Sequence, residues 1–125
     1  MQEADPPIVD EEVLAEMMAA TGDDIGFVRE LLETYLADTP VQLDAMTAAV
    51  EADDAAALVR PAHTLKSSSA SLGAMRLSAR ARELEVAGRS GALSPADRAG
   101  LEAARSDWLA AADALNAWLE RASGT

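Results

Sequence analysis

Residues 62–74 read AHTLKSSSASLGA and contain the only histidine and the only lysine of the chain, His63 and Lys66. Successive residues of an α-helix are rotated by about 100°, so one set of side chains around this stretch points within about 40° of a single direction: Leu58, Ala62, Leu65, Ser69 and Leu72. This stripe predicts the buried face of a helix that ends near Leu72-Gly73. His63 lies about 140° from that direction, so we expect its imidazole to face solvent.

The side chains predicted around His63 are small or cationic. Val59, Ser67 and Ala70 lie on the same side of the helix, and Lys66 follows one turn later. An exposed imidazole beside an ammonium group, with little steric cover, suits a nucleophile that accepts an anionic group. The alternative is a surface histidine without a function.

The rest of the chain also predicts helices. Alanine, the strongest helix former, accounts for 29 of the 125 residues, and only four residues are aromatic. We expect a short helix from Asp10, stopped by Gly22, and a second that begins at Asp23 or Asp24 and is broken or kinked at Pro40. The third begins at Asp53 or Asp54, the fourth spans Ala74 to about Ala87, and the last begins at the Ser-Pro of positions 94 and 95.

The short connections between these helices favour antiparallel neighbours. We therefore predict an all-α fold: an up-down antiparallel four-helix bundle with a short extra N-terminal helix. Residues 1–9 are predicted to be a flexible N-terminal tail, and residues 10–122 a single domain.

Composition excludes several kinds of partner and chemistry. The net charge is −12, and residues 1–59 carry 15 acidic side chains against one base, which argues against a nucleic-acid partner. Without cysteine, and with a single imidazole, the chain lacks the usual ligand set of a metal site, so none is expected. No apolar run approaches the about 18 residues of a membrane span, and the N-terminus is not a secretory signal. We expect a soluble, cytoplasmic protein with no membrane partner.

Residues 63–74, HTLKSSSASLGA, resemble the H-x-L-K-G-S-S-x-x-L-G-A signature of the histidine-containing phosphotransfer (Hpt) family. The resemblance extends to the helical pattern from about residue 10 and to the pair Leu84-Glu85, which is similar to a pair that commonly follows the motif. It implies a phosphorelay intermediate. His63 would accept a phosphoryl group on Nε2 from the aspartyl phosphate of a response-regulator receiver domain and pass it to another receiver.

The same resemblance implies further roles and partners. Lys66 would lie close to the phosphoryl oxygens as a point charge, and a histidine kinase would stand upstream of the receivers. No cofactor is expected on this chain, because the partner receiver would supply the acidic pocket and the magnesium ion. Ser67 departs from the family pattern, which usually has glycine there, and Pro61 is expected to bend the helix just before His63.

Glu85 of the following helix is placed near His63 by counting residues. An antiparallel helix that begins at Ala74 reaches the level of His63 near residues 82 to 85. Glu85 could then hold the Nδ1–H group and leave Nε2 free as the nucleophile. In the alternative, Glu85, Arg82 and Arg89 are all solvated surface charges.

Two other functions remain compatible with the residues. The chain could be the phosphoryl-accepting domain of a chemotaxis-type kinase, or a helical scaffold without catalytic function. No glycine-rich ATP-binding motif is present, so we predict a phosphocarrier rather than an enzyme that phosphorylates itself.

Overall fold

Residues 5–124 are described by a computed structural model and form five α-helices, with no strand in that range. The helices are α1 (Glu11–Ala20), α2 (Ile25–Glu51), α3 (Ala55–Ser71), α4 (Met75–Ser90) and α5 (Pro95–Ala122). The predicted all-α class is confirmed. None of these five helices is both long and apolar enough to cross a membrane.

Four helices begin at a side chain that accepts a hydrogen bond from a backbone N–H group of the first turn. These caps are Asp10, Asp24, Asp54 and Ser94. They satisfy donors that have no partner inside the helix, which is why the starts are readable in the sequence. Asp23 and Asp53, the other candidates, instead have positive φ angles of 62° and 53° in the preceding turns.

Helix α2 runs through Pro40 without interruption, so the predicted alternative of a break there is wrong. Pro40 has no backbone N–H group, and the helix loses only the one hydrogen bond that this group would donate. Its ring is exposed, whereas Thr39 beside it is buried and its hydroxyl donates to the Tyr35 carbonyl oxygen. The helix on both sides of Pro40 is held by packing of its buried face.

Helix α4 extends to Ser90, three residues beyond the predicted end near Ala87. Gly88, the first glycine of the GRSG sequence, is an ordinary helical residue on the buried face. The helix ends at Gly91, whose φ of 83° is in the left-handed region that favours glycine.

The interior lies where α3 and α5 each pack against both α2 and α4. The predicted buried stripe of α3, from Leu58 to Leu72, is buried at all five positions. Ser69 of that stripe pairs its hydroxyl with the Tyr35 hydroxyl at 2.7 Å, and the Tyr35 ring meets Trp108 edge to face at a centroid distance of 5.5 Å. Burial raises the pKa of Tyr35 to about 12.

Residues 6–9 form no helix, and Pro6 and Pro7 contact the first turn of α4. The carbonyl oxygens of Pro6 and Pro7 accept hydrogen bonds from the side chain and backbone of Arg76, and Ile8 and Val9 pack against the core. These contacts involve part of the stretch predicted as a flexible tail, whose residues 1–4 lie outside the described range.

Helices α3 and α4 approach closely at Gly88. A Cβ atom on this glycine would lie 2.8 Å from the carbonyl oxygen of Ala55 and 2.9 Å from Cγ2 of Val59. Farther along, the Ser78 hydroxyl donates to the Lys66 carbonyl oxygen at 2.8 Å, so rising numbers in α3 meet falling numbers in α4. We call this antiparallel α3–α4 interface the seam. Along it, side chains on the outward side of α3 lie next to side chains of α4.

The close approach predicts a measurable cost for a single methyl group. Gly88→Ala should lower the free energy of unfolding by about 1–3 kcal/mol, because backbone and Val59 must move apart. Gly100→Ala is the matched control, since its Cβ would meet only Leu84 at 3.7 Å and helix propensity alone favours alanine by about 1 kcal/mol. Urea unfolding of both variants checks this. Equal stabilisation by the two substitutions would show that the seam accommodates a methyl group at position 88 without strain.

Candidate functional site

His63 lies on the face of α3 opposite the buried stripe, as the sequence predicts. Its side chain is 55% exposed, whereas Ala62 beside it is fully buried. The outward direction follows from the helix, because α3 must bury the stripe that contains Ala62 and Leu65. One edge of the imidazole ring faces solvent, and the other faces α4.

Glu85 of α4 lies against His63. Its side chain is only 7% exposed, and its Oε2 lies 3.0 Å from Nδ1 of His63. Glu85 is therefore not a solvated surface charge, and that alternative is wrong for this residue. The predicted contact with Nδ1 is confirmed in its geometry, whereas Arg82 is exposed.

Two cations also bind the Glu85 carboxylate. Lys66 Nζ lies 2.7 Å from Oε1, and Arg89 donates to Oε2 from Nη2 at 2.8 Å and from Nε at 3.2 Å. The hydrogen bonds from Lys66 and Arg89 outweigh the effect of burial and lower the pKa of Glu85 to about 2. The carboxylate is therefore ionised at neutral pH.

The ionised carboxylate fixes the state of the imidazole. A carboxylate only accepts hydrogen bonds, so the proton between His63 and Glu85 belongs to Nδ1. In neutral imidazole the second nitrogen, Nε2, then carries a lone pair. The lone pair lies on the side of the ring away from Glu85, where the side chain is open to solvent. This arrangement suits nucleophilic attack by Nε2.

The other predicted site residues line the same side of α3. Ser67 is exposed, Ala70 and Val59 are half-buried, and Val59 packs against Gly88. The family resemblance places Lys66 beside an incoming phosphoryl group, and in this structure the Lys66 ammonium binds Glu85 with the side chain 31% exposed. The structure therefore brings His63, Lys66 and Glu85 together, with the small residues around them.

Arg89 is the site residue that the sequence reasoning missed. The sequence predicts only an outward charge at this position, and the side chain is indeed 60% exposed. The sequence does contain a signal for the contact between Arg89 and Glu85. The two residues are four positions apart, and an acidic and a basic residue at this spacing on a helix are neighbours. Its importance could not be seen without knowing that Glu85 is buried.

Comparisons with known proteins give a family match and a structural match for this chain. The profile of the Hpt domain family matches residues 30–124 of the chain. A crystal structure of histidine-containing phosphotransfer protein B (HptB) from Pseudomonas aeruginosa PAO1 is similar with a TM-score of 0.82 and 30% sequence identity, covering 92% of this chain and 96% of that one. A comparison with curated protein sequences gave no match.

The lowered pKa of Glu85 predicts how stability depends on pH. Because the pKa is about 2 in the folded protein and ordinarily about 4.5, the stabilisation is complete above about pH 4.5 and is lost as the pH falls toward 2. Glu85→Gln should therefore lower the free energy of unfolding more at about pH 7 than at about pH 3 in urea titrations. Glu83→Gln, which removes an exposed carboxylate of the same helix, is the control. An equal loss of free energy of unfolding in Glu85→Gln at both pH values would contradict the prediction.

Proposed function

Because this chain belongs to the Hpt domain family, whose members are phosphocarriers and not kinases, we propose that its phosphorelay function is carried by His63. In this proposal, Nε2 accepts the phosphoryl group from the aspartyl phosphate of one receiver domain and passes it to another. One observation carries the assignment: the buried Glu85 carboxylate holds Nδ1 and leaves the Nε2 lone pair toward solvent. A scaffold would need no such arrangement.

The proposed transfer forms one bond and breaks one bond. The Nε2 lone pair attacks phosphorus, the bond to the aspartyl oxygen breaks, and the aspartate leaves as a carboxylate. Nδ1 keeps its proton, so the ring becomes positively charged while the phosphoryl group remains on Nε2. The Glu85 carboxylate, 3.0 Å from Nδ1, stabilises this charge as it develops. Return of the phosphoryl group to a second receiver reverses the same steps.

Lys66 is the proposed contact for the phosphoryl oxygens. It follows His63 by three residues on α3, and its ammonium already lies at the site on Oε1 of Glu85. A phosphoryl group spreads negative charge over three oxygens during transfer, so catalysis depends on positioning and on neutralising that charge. The three rotatable donors of an ammonium allow Lys66 to turn from the carboxylate to a phosphoryl oxygen without moving the backbone.

The partners in this proposal are response-regulator receiver domains, with a histidine kinase upstream. The receiver would dock on the face formed by Val59, Ser67 and Ala70 and would bring the magnesium ion and the acidic residues that hold it. No cofactor is proposed for this chain, and its cytoplasmic location remains a prediction. Compared with the glycine that is usual in the family, Ser67 adds only a hydroxymethyl group to this face.

We also propose that α2 to α5 form the up-down antiparallel four-helix bundle predicted from the sequence. Three contacts support it: Arg29 with Ser123, Arg105 with Asp44, and Arg80 with Asp107. Arg29, near the start of α2, meets Ser123 at the end of α5, whereas Asp44, late in α2, meets Arg105, early in α5, as in an antiparallel pair. The bundle would give α3 and α4 the rigid backing that fixes Glu85 against His63.

The assignment of His63 is tested by its removal. His63→Gln should fold as the wild type does, because the side chain is exposed, and should accept no phosphate from a phosphorylated receiver domain. The measurement is acid-labile radiolabel on the protein, with circular dichroism as the control for folding. Using a receiver and a chemotaxis-type kinase as alternative donors identifies which of the two supplies the phosphoryl group. Acid-labile label on the variant would overturn the assignment.

The docking face is tested by a bulky side chain beside His63. Ala70→Trp should abolish transfer while helicity and melting temperature remain near those of the wild type. Because Ala70 is half-buried, Ser67→Trp repeats the test at an exposed position, and Ala110→Trp on α5 is the control. Transfer at the wild-type rate by both variants of α3 would show that the receiver docks elsewhere.

A further inference from the structure

Glu85 presents the proposed reaction with an electrostatic conflict. Its carboxylate orients His63 at 3.0 Å, yet it also places a fixed negative charge beside the ring that receives a phosphoryl anion. Like charges at short range oppose each other, and the effect is larger for a group that is almost removed from water. A residue that cancels the charge of Glu85 without displacing it from His63 would remove the conflict.

Arg89 has the position required for that task. Both Nη2 and Nε donate to Oε2, the same carboxylate oxygen that accepts from His63, while Lys66 binds the other oxygen, Oε1. Arg89 also lies in the last turn of α4, where the partial negative charge of the helix end favours a cation. It therefore stays on Glu85 when Lys66 turns away.

The charges of the site show why one cation is not enough. With a neutral ring, Glu85, Lys66 and Arg89 together carry one positive charge. A phosphoryl unit adds one negative charge in total, because its two negative charges are partly balanced by the positive ring, and the site becomes neutral. Without Arg89 the phosphorylated site would carry a net negative charge, and Lys66 would have to serve both the carboxylate and the phosphoryl group.

We propose that Arg89 is a positioning residue that neutralises Glu85 and so releases Lys66 for the phosphoryl group, which raises the phosphoryl occupancy of His63. This role rests on the proposed function of His63. Arg89 acts through Glu85 and does not touch the reacting atoms.

The test measures the equilibrium of phosphate between this protein and a receiver domain that exchanges phosphate with the wild type. Arg89→Ala should shift the equilibrium toward the receiver by about tenfold, the scale of one lost charge contact, and Arg89→Lys should restore most of it. Arg82→Ala is the matched control, because Arg82 carries the same charge on the same face of α4, two helical turns from Arg89. This variant should change the equilibrium less than about twofold.

A double variant separates action through Glu85 from direct contact with the phosphoryl group. In a Glu85→Gln background there is no negative charge to cancel, so Arg89→Ala should shift the equilibrium less than about twofold. A tenfold shift that persists in this background would overturn the proposal, since Arg89 would then contact the phosphoryl group itself. An equal effect of Arg82→Ala would also overturn it, in favour of a general surface charge.

Ring nitrogen chemical shifts of the unphosphorylated protein give a readout that does not depend on transfer. Arg89→Ala should keep the Nδ1–H tautomer of His63, because Glu85 remains in place. Loss of that tautomer would show that Arg89 only holds Glu85 in position, and would overturn the neutralising role. Absence of phosphate on the wild type would overturn the function of His63 and this role with it. A phosphorylated wild type whose equilibrium Arg89→Ala leaves unchanged would overturn this role alone.

Discussion

The carboxylate of Glu85 lies in the seam between α3 and α4, and the site depends on its contacts there. The seam is narrow because Gly88 has no side chain, so the α4 backbone approaches the first turns of α3. Glu85, one turn earlier on α4, is thereby held beside His63 and shielded from water. The same carboxylate accepts the hydrogen bond of His63 Nδ1 and binds both Lys66 and Arg89. A wider separation of the helices would leave Glu85 hydrated and the ring free to rotate.

Burying a carboxylate is unfavourable unless hydrogen bonds and opposite charges replace its water. Here three side chains do so: His63, Lys66 and Arg89. Each is itself partly exposed, with its reactive or charged end near the surface. The buried anion thus anchors three groups that a docking partner can reach. This differs from a structural ion pair in the interior, whose partners are out of reach of any ligand.

The sequence predicts most of the fold because its signals are local. Asp10, Asp54 and the Ser-Pro at 94 and 95 mark helix starts by satisfying backbone donors, and the stripe of α3 fixes the outward direction of His63. It does not settle features that depend on packing between helices. The continuity of α2 through Pro40 and the burial of Glu85 both depend on contacts formed by other elements. The contact of Arg89 with Glu85 is not predicted for the same reason, since the sequence does not show that Glu85 is buried.

A relay must release the phosphoryl group as readily as it accepts it, and this requirement limits how strongly a site can stabilise phosphohistidine. A site with cations alone would hold the phosphoryl group and stop the relay. In the proposed relay, Glu85 would favour the positively charged ring but oppose the phosphoryl anion, whereas Lys66 and Arg89 would favour the anion. Because the opposing contributions come from side chains in direct contact, the balance is set locally. A receiver domain that docked on the open side of His63, as proposed, would then move the equilibrium in either direction with its own charges.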